Sequence, residues 1–236
     1  MSFRALFTLL LLLCVSQAFA VPFRDIYADA AWSDLTGLSS SQHFTWGSRD
    51  GDFATFVSLK NEWFDTRGTD LPFQYSARGS RVGVGGRYWF AENKMHASAS
   101  TSYVFAGFNE GKMDNRVAVV GYDQWEQGKR YSDLYGDLAW VDLADDVFLN
   151  VRLRKGTILA RDEQKRIWVY GLGQVYASGS GDNGTENRLE TGIGVGYIWR
   201  GQISANLDLR VGHSFQGDIS DKDYFNPMLV ISGGLY

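Results

Sequence analysis

The 236-residue chain carries 23 Lys and Arg against 27 Asp and Glu, a formal net charge of −4, and so offers no basic surface to a nucleic acid. Its 8 Trp, 12 Tyr and 15 Phe, with only 3 Pro, make a strand-rich composition. One cysteine, Cys14, rules out an intrachain disulfide framework, so a single domain of this length must be held by burial.

Residues 1–20 read as an export signal. Arg4 gives a cationic start, an apolar run covers 5–15, and Ala18-Phe19-Ala20 forms an A-x-A cleavage site before Val21. The run is too short to cross a bilayer as a helix. Leu13 is bulky where a lipoprotein signal needs a small residue, so Cys14 is leader filler. Cleavage is expected to leave 21–236 as one domain with no cysteine and 22 basic against 27 acidic residues. No later stretch has the ~18 consecutive apolar residues of a transmembrane helix.

Residues 25–38 fit either a strand or a short helix. From there, two-residue alternation takes over. Val82, Val84, Tyr88 and Phe90 oppose Arg81, Gly83, Gly85 and Arg87, and the pattern slips between Arg78 and Arg81, which predicts a bulge or a further turn there. Residues 95–105 alternate Ala, Thr and Tyr with Ser98, Ser100 and Ser102. Val147, Leu149, Val151 and Leu153 oppose Asn150, Arg152 and Arg154. Leu189, Thr191, Ile193, Val195, Tyr197 and Trp199 oppose Arg188, Glu190, Gly192, Gly194 and Gly196. Residues 203–216 set Ile203, Ala205, Leu207, Leu209, Val211, His213 and Phe215 against Ser204, Asn206, Asp208, Arg210, Gly212, Ser214 and Gln216. A helix would scatter each set around its axis, whereas a strand puts each on one face. Turn signals at 91–94, 109–115, 127–129, 161–165, 178–186 and 217–223 separate the runs. The count is ten to twelve strands of about 9 to 14 residues, against about 9 to 11 needed to span a membrane. Short and long connections tend to alternate, with 144–146 short where a long loop is due.

Alternation does not say which face is inside. Strand length favours a membrane barrel, as do aromatics near strand ends on the apolar face (Tyr88, Phe90, Tyr103, Phe105, Tyr197, Trp199, Phe215). So does a C-terminal strand, "MLVISGGLY", with Met228, Val230 and Tyr236 expected in phase on the lipid side and Ser232 and Gly234 between them. The expected fold is therefore all-β, an antiparallel up-and-down transmembrane β-barrel. Its polar face would be the lumen, with Arg81, Arg87, Arg152, Arg154, Arg188, Glu190, Asp208 and Arg210 as lumen-facing candidates. Turned to lipid at mid-strand, an arginine costs roughly 2 to 4 kcal/mol. Gly192, Gly194 and Gly196 would leave room for long side chains from neighbouring walls.

Other chemistry finds little footing. "GIGVGYIW" and "GVGGRYWF" have tyrosine where a nucleotide-binding loop needs its third glycine, and no helix follows either. His213 and Ser214 are adjacent on a strand and so point to opposite faces, which argues against a lipid-deacylating pair. His43 and His96 are distant from His213 in sequence and give no metal set, and Asp218, Asp221 and Asp223 lack calcium-loop spacing. No catalytic residue, metal or cofactor is expected.

Residues 131–156, "YSDLYGDLAWVDLADDVFLNVRLRKG", and 194–215, "GVGYIWRGQISANLDLRVGHSF", are similar in texture to the C-terminal barrel of bacteriophage N4 adsorption protein A and related exopolysaccharide-secretion barrels. The likeness covers the C-terminal half to two-thirds of the chain. It implies an outer-membrane protein that passes or exports a polar solute or exopolysaccharide, possessing a barrel without the helical-repeat region of those relatives. The implied partners are outer-membrane lipid, the barrel-assembly machinery acting on the strand that ends at Tyr236, and a polysaccharide secretion system. Two other readings are a closed barrel whose outer loops, 178–186 among them, bind a phage or a surface, and a lipid A-modifying enzyme, which the His213-Ser214 geometry disfavours.

Overall fold

The structure, a computed structural model, describes residues 21–33, 37–64, 79–107, 109–179, 187–199, 203–216 and 222–235. The expected signal peptide at 1–20 and the terminal Tyr236 lie outside the described residues. The described residues form twelve strands, the upper limit of the expected count: β1 Val21–Ser33, β2 Gly37–Asp50, β3 Phe53–Phe64, β4 Gly79–Phe90, β5 Met95–Gly107, β6 Met113–Gln127, β7 Arg130–Val141, β8 Asp146–Arg161, β9 Lys165–Ser178, β10 Asn187–Trp199, β11 Ile203–Gln216 and β12 Lys222–Leu235. Each pairs antiparallel with its sequence neighbour, and β1 closes the barrel on β12 in a register that includes Ala30↔Ile231. The ambiguous stretch 25–38 is strand in its described part. Closure demands this, because an unpaired edge would expose backbone polar groups to hydrocarbon. The expected slip near Arg81 is a register shift between Ser80 and Arg81 in the β4–β5 ladder.

Up-and-down topology sorts the connections onto two ends. One end carries the start of β1, the end of β12 and the turns 51–52, 91–94, 128–129 and 162–164, and there β10 ends and β11 begins. At the other end the odd-numbered strands finish and the even-numbered ones begin, with 109–112 between β5 and β6 and 142–145 between β7 and β8. We call these the short-turn end and the loop end. Two of the short turns use glycine at positive φ, Gly51 at 55° and Gly128 at 59°, as tight hairpins between right-twisted strands require. The connection expected to be short at 144–146 is a 3-10 turn, Asp142–Ala144, closed by Asp145 in the left-handed region.

The outer surface settles the inside–outside question. Ile193, Val195, Leu207, Leu209, Val211, Leu153 and Val117 all stand exposed on the barrel exterior. Such a surface in water would be a continuous association patch; in a bilayer it is simply solvated. Trp46, Phe53, Tyr88, Trp125, Tyr197 and Trp199 ring the short-turn end. Trp32, Trp63, Tyr103, Phe105, Trp140, Phe215 and Phe225 ring the loop end. Two aromatic girdles flanking an apolar belt define a transmembrane barrel of the outer-membrane type.

One expected phase is reversed. In β12, Met228 pairs with Asp208 and Val230 with Asn206, both inward residues, so Met228 and Val230 face the lumen. Phe225, Leu229 and Ile231 take the lipid side. Ser232 also faces inward, with its hydroxyl 2.6 Å from that of Ser204. Apolar residues occupy both faces of this strand, so alternation of hydrophobicity could not fix its phase.

Candidate functional site

The inner wall is where the sequence concentrates its charge. Inward side chains of adjacent antiparallel strands stand side by side, so the register decides which charges meet. On β10 and β11, Glu190 pairs with Gly212 and Arg210 with Gly192. Each charge thus has a glycine beside it, which leaves space for the diagonal approach of the two side chains. Arg210 Nη1 donates to Glu190 Oε2 at 2.9 Å and to Gln174 Oε1 at 2.9 Å, and its Nη2 donates to Asp208 Oδ2 at 2.5 Å. Tyr170 Oη donates to Asp208 Oδ1 at 2.5 Å, and Tyr224 Oη to Glu190 Oε1 at 2.9 Å. Glu190 is 1% exposed, Asp208 3% and Arg210 3%. Arg188 extends this network: its guanidinium lies 4.0 Å from the centre of the Tyr176 ring and 3.5 Å from Glu190 Oε1.

A second network crosses the opposite wall, also toward the loop end. Arg81 on β4 bridges Glu62 on β3 and Asp114 on β6, the latter at 2.6 Å. Lys60 approaches Glu62 at 2.5 Å, and Arg116 Nε donates to Asp114 at 2.7 Å. Arg87 stands apart near the short-turn end, 3.3 Å from Asp25 of β1. Buried ions survive only when paired and hydrogen-bonded, and these networks supply such partners across strands distant in sequence.

The short-turn half of the lumen is different. Tyr131, Ile158, Trp168, Tyr170 and Leu172 form a buried apolar cluster on the inner wall of β7 to β9, with Ile198 packed against it. The β10 glycines make this possible. A Cβ on Gly196 would lie 2.2 Å from the Trp168 ring, and one on Gly194 2.6 Å from the Tyr170 ring and 2.3 Å from Asp208 Oδ1. These glycines are the sockets in which two lumen aromatics lie. At Gly192 the obstacle is backbone, with Leu209 O at 2.2 Å.

Beside this cluster opens a cavity of about 870 Å³, lined by residues near the short-turn end such as Tyr27, Tyr122, Tyr135, Arg152, Arg154 and Asn206. Arg166 reaches it too, lying over Trp168 and Tyr131 and paired with Glu126 at the barrel's rim. Arg154 is held by Asp133 at 2.8 Å, and Asp133 also accepts a hydrogen bond from Tyr131. Arg152 lies over the Tyr135 ring, 5.8 Å from its centre.

The eight lumen candidates therefore fall into separate settings. Arg188, Glu190, Asp208 and Arg210 share one network, Arg81 belongs to another, Arg87 pairs with Asp25, and Arg152 and Arg154 line the cavity. The sequence reading did not single out Glu62, Asp114, Asp133, Tyr122, Tyr135, Arg166 or Trp168. In β9 the inward row is Arg166, Trp168, Tyr170, Leu172, Gln174 and Tyr176, so aromatic and apolar residues on the lumen side blur the polar–apolar alternation. Asp114 and Glu62 carry a usable signal, since acids inside strands with alternating faces imply cations to meet them.

His213 and Ser214 do point apart: His213 is exposed and hydrogen-bonded to Asp223 at 2.8 Å, while Ser214 is fully buried. Asp218 and Asp221 lie outside the described residues.

No protein-family model and no curated protein matches the chain. Among solved structures it is similar to a bacterial polysaccharide outer membrane secretin, at 11% identity over 93% of this chain and 99% of that one, with a TM-score of 0.45. It is also similar to LpxR from Salmonella typhimurium, at 9% identity over 89% and 99%, TM-score 0.43. A third is the KdgM porin, at 9% identity over 90% and 99%, TM-score 0.42.

Proposed function

We propose that this barrel is a conduit through the outer membrane for a polar solute, with a saccharide or exopolysaccharide as the cargo. The supporting observation is the cavity of about 870 Å³ at the short-turn end, which arginines and tyrosines line together. Short connections face the periplasm in outer-membrane barrels, so this mouth would open toward the side from which an exported polymer arrives. Guanidinium groups and tyrosine hydroxyls can exchange hydrogen bonds with a hydroxyl-rich chain, and aromatic faces give its sugar rings a surface to slide across. In this reading the signal peptide delivers the chain to the periplasm, and the C-terminal strand presents it to the assembly machinery.

The test is electrical. The refolded barrel, inserted in a planar bilayer, is expected to give discrete conductance steps that added oligosaccharide interrupts. A bilayer that stays silent while the same preparation shows the faster unboiled migration of a folded barrel would contradict the conduit.

A further inference from the structure

Three cations line the short-turn cavity, and they are not equivalent. Arg154 has Asp133 and Arg166 has Glu126, but among the described residues Arg152 has no ion pair. Its Nε is buried without a hydrogen-bond partner, and its guanidinium rests on the Tyr135 ring. The strand register sets Tyr122 beside Tyr135, and Tyr135 beside Arg152, so two phenol rings and one cation without an ion pair stand in a row around the wall. Tyr122 is 45% exposed although its side chain is turned inward, so its surface is open to the cavity.

We propose that this cavity binds an acidic saccharide, with a ring carboxylate on Arg152 and the sugar against Tyr122 and Tyr135. The planar guanidinium offers a fork of donors that matches a carboxylate, and in a partly enclosed site a guanidinium with no ion pair of its own favours an anion. The space is far larger than an inorganic ion needs and lies within the roughly 300 to 1,000 Å³ that small-molecule ligands occupy. Gln124, Asn150, Asn206 and Ser204 add donors and acceptors for hydroxyl groups. The inference rests on reading the lumen as a solute path and narrows the cargo to uronate-like sugars.

The experiment is calorimetric titration of the full barrel in detergent with a uronic acid trisaccharide, its carboxyl-reduced neutral counterpart, and inorganic phosphate. The acidic trisaccharide should bind at least about tenfold more tightly than the neutral one, and Arg152→Gln should remove about that factor, as expected for loss of one charge-assisted hydrogen-bonded pair. Should Arg152→Gln fail to fold by the gel-shift criterion, Tyr122→Ala, at an exposed side chain, should weaken both sugars while the acidic one stays preferred. Equal affinity for both sugars, phosphate binding as tight as the trisaccharide, or no binding would each overturn the proposal. Binding without conductance would retain the site and retire the conduit; conductance without binding would do the reverse.

Discussion

Gly196 and Gly173 look alike in sequence but sit in opposite surroundings. A Cβ at Gly196 meets Trp168 at 2.2 Å, whereas one at Gly173, on the outer face, meets nothing within 4 Å. Gly196→Ala is therefore expected to destabilise the barrel by about 1 to 3 kcal/mol, since the added methyl must push the indole off its seat against Tyr131 and Tyr170. Gly173→Ala should change stability by no more than about 0.5 kcal/mol. Urea unfolding of the two variants in the same lipid checks the pair. Arg210 gives a second residue-scale prediction. Replacing it with Met leaves Asp208 buried without its paired cation and Glu190 with Arg188 alone, a loss of about 3 to 5 kcal/mol in the same assay. A result near zero would mean that these carboxylates are solvated through the lumen.

At the scale of elements, the hairpin between β8 and β9 carries a pH-dependent cap. Asp162 accepts hydrogen bonds from the backbone N–H of Gln164 and Lys165, both at 2.8 Å, and these hold its carboxyl below the usual range for aspartate. A depressed folded-state pKa means that the contribution is present above the unfolded value, about 3.9, and is lost as pH falls through the folded one. The thermal midpoint of wild type should thus exceed that of Asp162→Ala at pH 6, and the gap should shrink toward pH 3. β12 supplies a sharper test of architecture. Leu229→Arg places a charge on the lipid face and should cost roughly 2 to 4 kcal/mol near mid-membrane, whereas Val230→Arg enters the lumen and should cost less. Most strands were legible in the sequence because a polar lumen and an apolar exterior impose alternation, as in Ile203–Gln216. That signal fails where both faces are apolar, which is why β12 reads out of phase and the Trp168–Tyr170 cluster went unseen. The glycine sockets were legible as spaces, but their occupants were not. Which aromatic fills Gly196 depends on the β9–β10 register, Gly196↔Trp168, and no local pattern encodes a register between strands.

The whole molecule is a closed wall with two halves of different character inside. Toward the loop end, charges pair across strands as far apart in sequence as β3, β4 and β6. Toward the short-turn end, an apolar cluster and an arginine-lined cavity share the lumen. Everything functional in this account depends on one assignment, that the face bearing Asn206, Asp208 and Arg210 is wet and the face bearing Leu207 and Leu209 is in lipid. The measurement that tests it most directly uses thiol labelling in reconstituted liposomes, with Cys14 replaced by serine so that each variant has a single thiol. Asn206→Cys, on the cavity wall, is predicted to react with a small charged thiol reagent from the aqueous phase, while Leu207→Cys, its neighbour on the exterior, stays protected until the membrane is dissolved. Protection of position 206 together with rapid labelling of 207 would contradict the account and turn the barrel inside out.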